Sequence, residues 1–190
     1  MSIQSYILKK ILRKVVPTDE DFILRRKKTD ESAKKNSLAK NVNIQQVQLD
    51  LVACEWAYLE NAPLDKVIIY LHGGGFCIGS IDTYRHFTSR LAKATGIRVL
   101  YVEYRLAPEY PFPGALEDVI TVYQSLLSQG ISSENIIFVG DSAGAGLCLS
   151  TTLALRDKGE LLPTALILYS PWTDLTLTSK SLITNEKKIL

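Results

Sequence analysis

The pentapeptide Gly140-Asp141-Ser142-Ala143-Gly144 lies between two contrasting runs. Before it stands the strand-like Asn135-Ile136-Ile137-Phe138-Val139, and after it a helix-like stretch from Ala145 to Leu155. A G-x-S-x-G sequence in a strand–turn–helix setting predicts a nucleophile elbow. The turn forces the serine into a strained backbone conformation, so its hydroxyl stands clear at the C-terminal end of the strand. Glycines at 140 and 144 remove the side chains that would clash there. Taken alone the pattern is weak. With Gly at about 7% of ordinary sequence, roughly 6% of chains this long carry one by chance.

A second element seventy positions upstream changes the weight. His72-Gly73-Gly74-Gly75 follows directly on the strand-like Val67-Ile68-Ile69-Tyr70-Leu71. By similar composition arithmetic a chance H-G-G-G occurs in on the order of one such chain in a thousand. A glycine-rich loop after a strand leaves backbone N–H groups bare and lets a ligand approach closely. Paired with the elbow, it reads as the other half of an oxyanion hole. Ser142 by itself would serve equally well as a cap of the helix that follows. The glycine loop is what favours the nucleophile.

The 190 residues and 46% apolar content suit one globular domain with a sizeable core. Charge is uneven: residues 1–40 carry eleven Lys/Arg against five Asp/Glu, and the rest carries eleven against fifteen. The basic start has no aromatic interleaving or recognition motif, so no nucleic-acid partner is expected and a solvated helix face is the plainer reading. Cys54, Cys77 and Cys148 are scattered and odd in number. They form no zinc or disulfide pattern, and free thiols in a reducing cytosol are the default. No metal or cofactor is expected. Lys9, Lys10, Arg13 and Lys14 break the one early apolar stretch, against a signal peptide. No run reaches transmembrane length, so stable membrane insertion is not expected.

Along the chain, Ile3, Ile7, Leu8, Ile11, Leu12 and Val15 recur at helical spacing before Pro17. Thr18 and Asp21 resemble a capping pair for a charged second helix over about 19–38. Strands are expected near 43–50 and 52–59. Strand and helix then alternate: strand 66–71, helix 83–95, strand 97–104, helix 114–129, strand 135–139, helix 142–158, strand 164–169. Gly96, Gly130 and Gly159 punctuate the helix ends. The rhythm predicts an α/β fold, a mostly parallel sheet with helices on both faces. In such sheets ligands bind beyond the carboxyl ends of strands, where His72 and Ser142 both fall.

These residues resemble the hormone-sensitive-lipase-like family of α/β-hydrolases, in its bacterial and archaeal esterase branch. The match runs through His72-Gly73-Gly74-Gly75-Phe76, Gly79-Ser80, Tyr104-Arg105-Leu106-Ala107-Pro108-Glu109, Phe112-Pro113, Gly140 to Gly144, and Ser170-Pro171-Trp172. The resemblance implies an α/β-hydrolase fold and cofactor-free hydrolysis of small carboxylic esters with short or medium acyl chains. It implies Ser142 as nucleophile and backbone N–H groups of Gly74, Gly75 and Ala143 as oxyanion donors. His72, Gly73, Gly140, Gly144 and Asp141 are then supporting residues, with His72 anchoring its loop. Residues 1–40 would be an N-terminal helical cap segment, 41–174 the hydrolase core, and 175–190 the entry to a second cap segment.

One departure stands out. In this family the triad acid and histidine follow the serine, yet His72 and His86 both precede Ser142. His86 reads as a partly exposed helical residue. Asp118, in a helix, and Asp174, past the last strand, are spare carboxylates with weak claims to the acid role. The expectation is a chain truncated after about six strands, with the nucleophile and oxyanion hole but weak or no esterase activity. A non-catalytic remnant that binds acyl compounds or a partner is the alternative, and membrane attachment through residues 3–16 a remoter one. The strand Ala165-Leu166-Ile167-Leu168-Tyr169 is expected to be an apolar edge prone to self-association.

Overall fold

The computed structural model describes residues 22–176, 178–180 and 184. The helix expected over 3–16, and the Thr18–Asp21 cap, lie outside the described residues. So does most of 175–190. The described elements are α1 (Phe22–Ala33), β1 (Asn43–Leu49), β2 (Val52–Tyr58), β3 (Val67–Leu71), α2 (Ile81–Thr95), β4 (Arg98–Val102), α3 (Gly114–Ser128), β5 (Ile136–Asp141), α4 (Ser142–Asp157) and β6 (Ala165–Tyr169). Every expected strand and helix from 19 onward has a counterpart. The charged helix is shorter than the expected 19–38, because Lys34 to Asn36 form a turn at its end.

The six strands form one sheet in the order β1-β2-β4-β3-β5-β6. The β4-β3-β5-β6 ladders are parallel, and β1 and β2 add an antiparallel edge. A tight turn joins β1 to β2, with Asp50 at φ 51° and Leu49 paired to Val52. The central strands read as continuous apolar runs because both faces are covered. On one face Val67, Ile69, Leu71, Leu100, Val102, Ile136 and Phe138 pack under α3 and α4. On the other, Ile68, Tyr70, Val99, Tyr101 and Val139 pack against Tyr84, Phe87 and Leu91 of α2. Successive residues alternate between the two cores as a period of two requires. Phe138 meets Tyr123 of α3 edge-on at 5.4 Å, a favoured aromatic geometry.

Local signals set the helix ends. Ser80 caps α2 by accepting the Thr83 N–H at 3.2 Å. Gly96 closes the same helix in the left-handed region at φ 70°, its N–H on the Ala92 carbonyl. β6 is the outer strand: Leu166 and Leu168 face the core under α4, while Ile167 and Tyr169 are 44% and 50% exposed.

Candidate active site

The loops after β3, β5 and β6 converge on Ser142. It is exposed at the first position of α4, with φ 51°. A non-glycine residue in that region is held there only by its surroundings. The surroundings are visible at the two flanking glycines. A Cβ on Gly140 would lie 2.7 Å from the Gly144 carbonyl carbon. A Cβ on Gly144 would fall on the carbonyl oxygens of Leu71 and His72. The first turn of α4 therefore rests against the end of β3, where the glycine loop begins. On the other side Trp172, just past β6, donates its N–H to the Ser142 carbonyl at 3.0 Å. Asp141, not Ser142, holds the N-cap position of α4. The Ser142 hydroxyl bonds to no described residue.

Asp141 joins the elbow to the glycine loop. Its carboxylate accepts the Gly73 N–H at 2.9 Å, the Tyr70 hydroxyl at 2.7 Å and the Tyr84 hydroxyl at 3.3 Å. Although it stands at the N-cap, its side chain makes no bond to α4. Gly73 must lack a side chain because a Cβ there would fall on this carboxylate. Burial first, then Asp141, raise the phenol pKa values of both Tyr70 and Tyr84, so they act as neutral donors. Neither tyrosine was marked in the sequence. The available signal was a phenol at Tyr70 in a strand that is otherwise aliphatic, since a buried hydroxyl needs a partner.

Beyond Gly73 the loop turns sharply. Gly74, Gly75 and Phe76 have φ of 125°, 63° and 61°. The Cys77 and Ile78 N–H groups fold back to the Gly74 carbonyl at 3.1 and 3.0 Å. The Gly74 and Gly75 N–H groups donate to no acceptor among the described residues. The two glycines serve different needs. A Cβ on Gly74 would fall on the Ile78 carbonyl, so that residue is glycine to close the turn. A Cβ on Gly75 would meet nothing within 4 Å, and that side of the loop is open.

The loop wraps the His72 ring. The imidazole is fully buried, stacked on Tyr104 at 4.2 Å between centroids, with Gly79 packed over its Nδ1 edge. Nδ1 lies 2.7 Å from the Gly73 carbonyl, which assigns it the proton, and Tyr104 donates to the His72 carbonyl at 2.6 Å. Burial pushes the His72 pKa down to about 4, against smaller opposing effects of the Gly73 carbonyl and Asp141. His86 is half-buried on α2, with Nδ1 at 3.1 Å from the Thr83 carbonyl. Neither histidine bonds to Ser142.

The remaining carboxylates are engaged elsewhere. Asp118 accepts from the backbone and Nε of Arg105 at 2.7 and 2.8 Å, which ties α3 to the loop after β4. Glu109 pairs with Arg26 of α1 at 2.7 Å, not with the nearby Arg105. Asp174 accepts from Thr176. Among the described residues no group of three His, Cys, Asp or Glu side chains is placed to hold a metal ion. No described helix is long and apolar enough to cross a membrane.

A sequence profile described as the alpha/beta hydrolase fold matches residues 68–190, well over half of the chain. The solved structure of an esterase from the bacterial hormone-sensitive lipase family superposes with a TM-score of 0.87 at 36% identity, covering 98% of this chain and 63% of that one. The chain belongs to the hormone-sensitive-lipase-like α/β-hydrolases. A hormone-sensitive lipase from a metagenome library matches with a TM-score of 0.90 at 31% identity, over 100% of this chain and 64% of its own. Among curated proteins, an esterase of Acinetobacter venetianus is 48% identical over 126 residues, 66% of this chain and 42% of its own length. An acetyl-hydrolase of Streptomyces hygroscopicus is 43% identical over 123 residues, 65% of this chain and 41% of its own. The chain thus spans less than half the length of these curated relatives.

Two outcomes test this geometry. Gly144→Ala places a methyl on two carbonyls and is expected to cost about 3 kcal/mol, the upper end for overpacking. Gly159→Ala, with φ 69° but open space, should cost only about 1 kcal/mol. Urea denaturation compares them, and equal costs would refute the close approach of α4 to β3.

The second outcome concerns pH. His72 titrates near 6.5 when unfolded and near 4 when folded. A depressed folded value means its contribution is complete above about pH 6.5 and is lost as pH falls towards 4. The loss reaches about 3 kcal/mol. Glu103, which burial pushes up to about 7, works in the opposite sense over this range. The difference between wild type and His72→Gln isolates the histidine. Stability curves for the two should converge as pH falls from 7 to 4.

Proposed function

We propose that this chain carries the nucleophile and oxyanion hole of a carboxylic-ester hydrolase. The observation that carries the reading is Ser142, exposed at φ 51° beyond β5 and joined through Asp141 to a loop whose Gly74 and Gly75 N–H groups are unclaimed among the described residues. Ser142 Oγ would attack the ester carbonyl carbon, and the carbonyl electrons would move onto oxygen. The Gly74, Gly75 and Ala143 N–H groups would stabilise that oxyanion. Collapse would break the ester C–O bond; the alcohol would leave carrying the proton given up by the Ser142 hydroxyl, and the acyl-serine left behind would be hydrolysed by water to the acid and free serine. His72, Gly73, Gly140, Gly144 and Asp141 support the geometry without touching the substrate.

A serine hydroxyl needs a base to act as a good nucleophile. The His72 imidazole is walled in by its own loop, and His86 is turned to its own helix. No residue of this chain is assigned as triad acid or base, so the chain alone is read as a weak or inactive esterase. Small esters with short or medium acyl groups are the proposed substrates. The naming of relatives as an esterase and an acetyl-hydrolase supports this. Residues 1–40 are assigned as a cap segment, 41–174 as the core and 175–190 as part of a second cap segment. Three free cysteines, two of them buried, suit a cytoplasmic setting.

The test combines turnover with labelling. p-Nitrophenyl butyrate hydrolysis is expected well below about 1 s⁻¹, the lower end for typical enzymes. A serine-directed phosphonate should still label Ser142 slowly, as read by intact mass, and Ser142→Ala should abolish the adduct. Folded wild type that never labels would favour the alternative, a non-catalytic acyl-binding protein. Turnover above that level, lost in Ser142→Ala, would mean that a base is present in this chain.

The exposed edge of β6 carries a second expectation. Its outer backbone groups pair with no other described strand, and beside the exposed Ile167 and Tyr169 they should recruit a second copy. Sedimentation should show concentration-dependent association, and a sharp monomer up to about 100 μM, well into the range where exposed strand edges associate, would refute it.

A further inference from the structure

α1 touches the site from outside the sheet through two polar hooks one turn apart, Arg26 and Asp30. Arg26 is the more consequential. Its Nε donates to the Cys77 carbonyl at 2.6 Å and one terminal nitrogen donates to the Ala107 carbonyl at 2.6 Å. The same guanidinium pairs with both Glu109 oxygens at 2.7 and 2.9 Å. Cys77 ends the turn that begins at Gly74, and Ala107 lies in the loop after β4. Those two loops are also joined directly, since Ala107 donates its N–H to the Phe76 carbonyl at 2.8 Å. The guanidinium thus closes a ring of hydrogen bonds around Phe76. Phe76 needs such support, because an aromatic residue at φ 61° is held only where its neighbours over-determine it. Asp30 adds a second tie one turn on, accepting the hydroxyls of Ser80 and Thr83 at the start of α2.

We infer that Arg26 is a positioning residue for the glycine loop: by bridging the Cys77 and Ala107 carbonyls it makes the setting of the Gly74 and Gly75 N–H groups depend on the docking of α1. The effect on Ser142 rests on the oxyanion reading above. The effect on the loop itself does not. Lysine cannot substitute, because a single ammonium lacks the planar fork that reaches both carbonyls and the carboxylate together.

The full chain provides its own reporter. Cys54 and Cys148 are buried and Cys77 is partly exposed, so the fast-reacting thiol is that of the loop. The measurements are Cys77 modification by a disulfide reagent, amide exchange at Cys77, Ile78 and Ala107, and phosphonate labelling of Ser142. Arg26→Ala and Arg26→Lys should both speed the thiol and amide reactions about tenfold or more, the scale of one lost charge-assisted hydrogen bond, and slow labelling by a similar factor. Glu109→Gln keeps both carbonyl bonds and should stay within about threefold of wild type, less than one such bond is worth.

Unchanged thiol and amide rates in folded Arg26→Ala would overturn the inference. So would Glu109→Gln opening the loop as far as Arg26→Ala does. Equal acceleration of core amides in β3 and β5 by both Arg26 variants would also overturn it, because the effect would then be global. Faster loop exchange with unchanged labelling would remove the link to Ser142. A wild type that never labels would defeat the esterase reading, while the exchange measurements would still decide the role of Arg26.

Discussion

The Asp141 carboxylate accepts the Gly73 N–H, the Tyr70 hydroxyl and the Tyr84 hydroxyl. These donors come from the glycine loop, from β3 and from α2. A single side chain at the end of β5 therefore holds the loop after one strand against the elbow after its neighbour. The carboxylate is only partly buried, and each donor offsets part of the cost of removing it from water. Without this junction, the exposed Ser142 hydroxyl and the open Gly75 face would belong to two independent turns.

Around that junction the packing leaves little freedom. Gly144 brings α4 onto the Leu71 and His72 carbonyls, and Gly79 brings the returning loop onto the His72 ring. The imidazole then stacks on Tyr104 and, further off, on Tyr101. The buried ring acts as a core around which the loop is wound, which is why it stays neutral. Its Nε2 has no partner among the described residues. Such a cost is tolerated at a place where the surrounding geometry matters more than local satisfaction. The outer shell is polar instead. Arg105 with Asp118 ties the loop after β4 to α3, and Arg26 with Glu109 ties it to α1.

Much of this was legible beforehand. Glycines at 96 and 159 marked real left-handed helix ends. The runs at 66–71 and 135–139 were read as strands covered on both faces, and they form Val67–Leu71 and Ile136–Asp141 between the two cores. Less legible were the pairings of charges. Arg105 and Glu109 are four residues apart and invite a local ion pair, yet each finds its partner on a different helix. The glycine loop was read as a place where the backbone lies open to a ligand; Gly75 has that open side, whereas at Gly74 the Ile78 carbonyl stands where a side chain would be. Tyr70 and Tyr84 gave only the general signal of buried phenols in search of acceptors.

The sequence by itself determined the alternation of strand and helix, the two sharp turns, and the chemistry those turns point to. These follow from short-range rules: period-two apolar runs, glycine where φ is positive, and a serine confined between glycines. Tertiary structure alone decided the strand order, which sets the glycine loop beside the elbow by pairing β3 with β5. It also decided that Asp141 turns away from its own helix, that His72 is enclosed, and that a guanidinium from α1 reaches two loops more than fifty residues away. Local propensity cannot see such contacts, because their partners meet only when the sheet has assembled and buried groups must be satisfied by whatever the topology brings near.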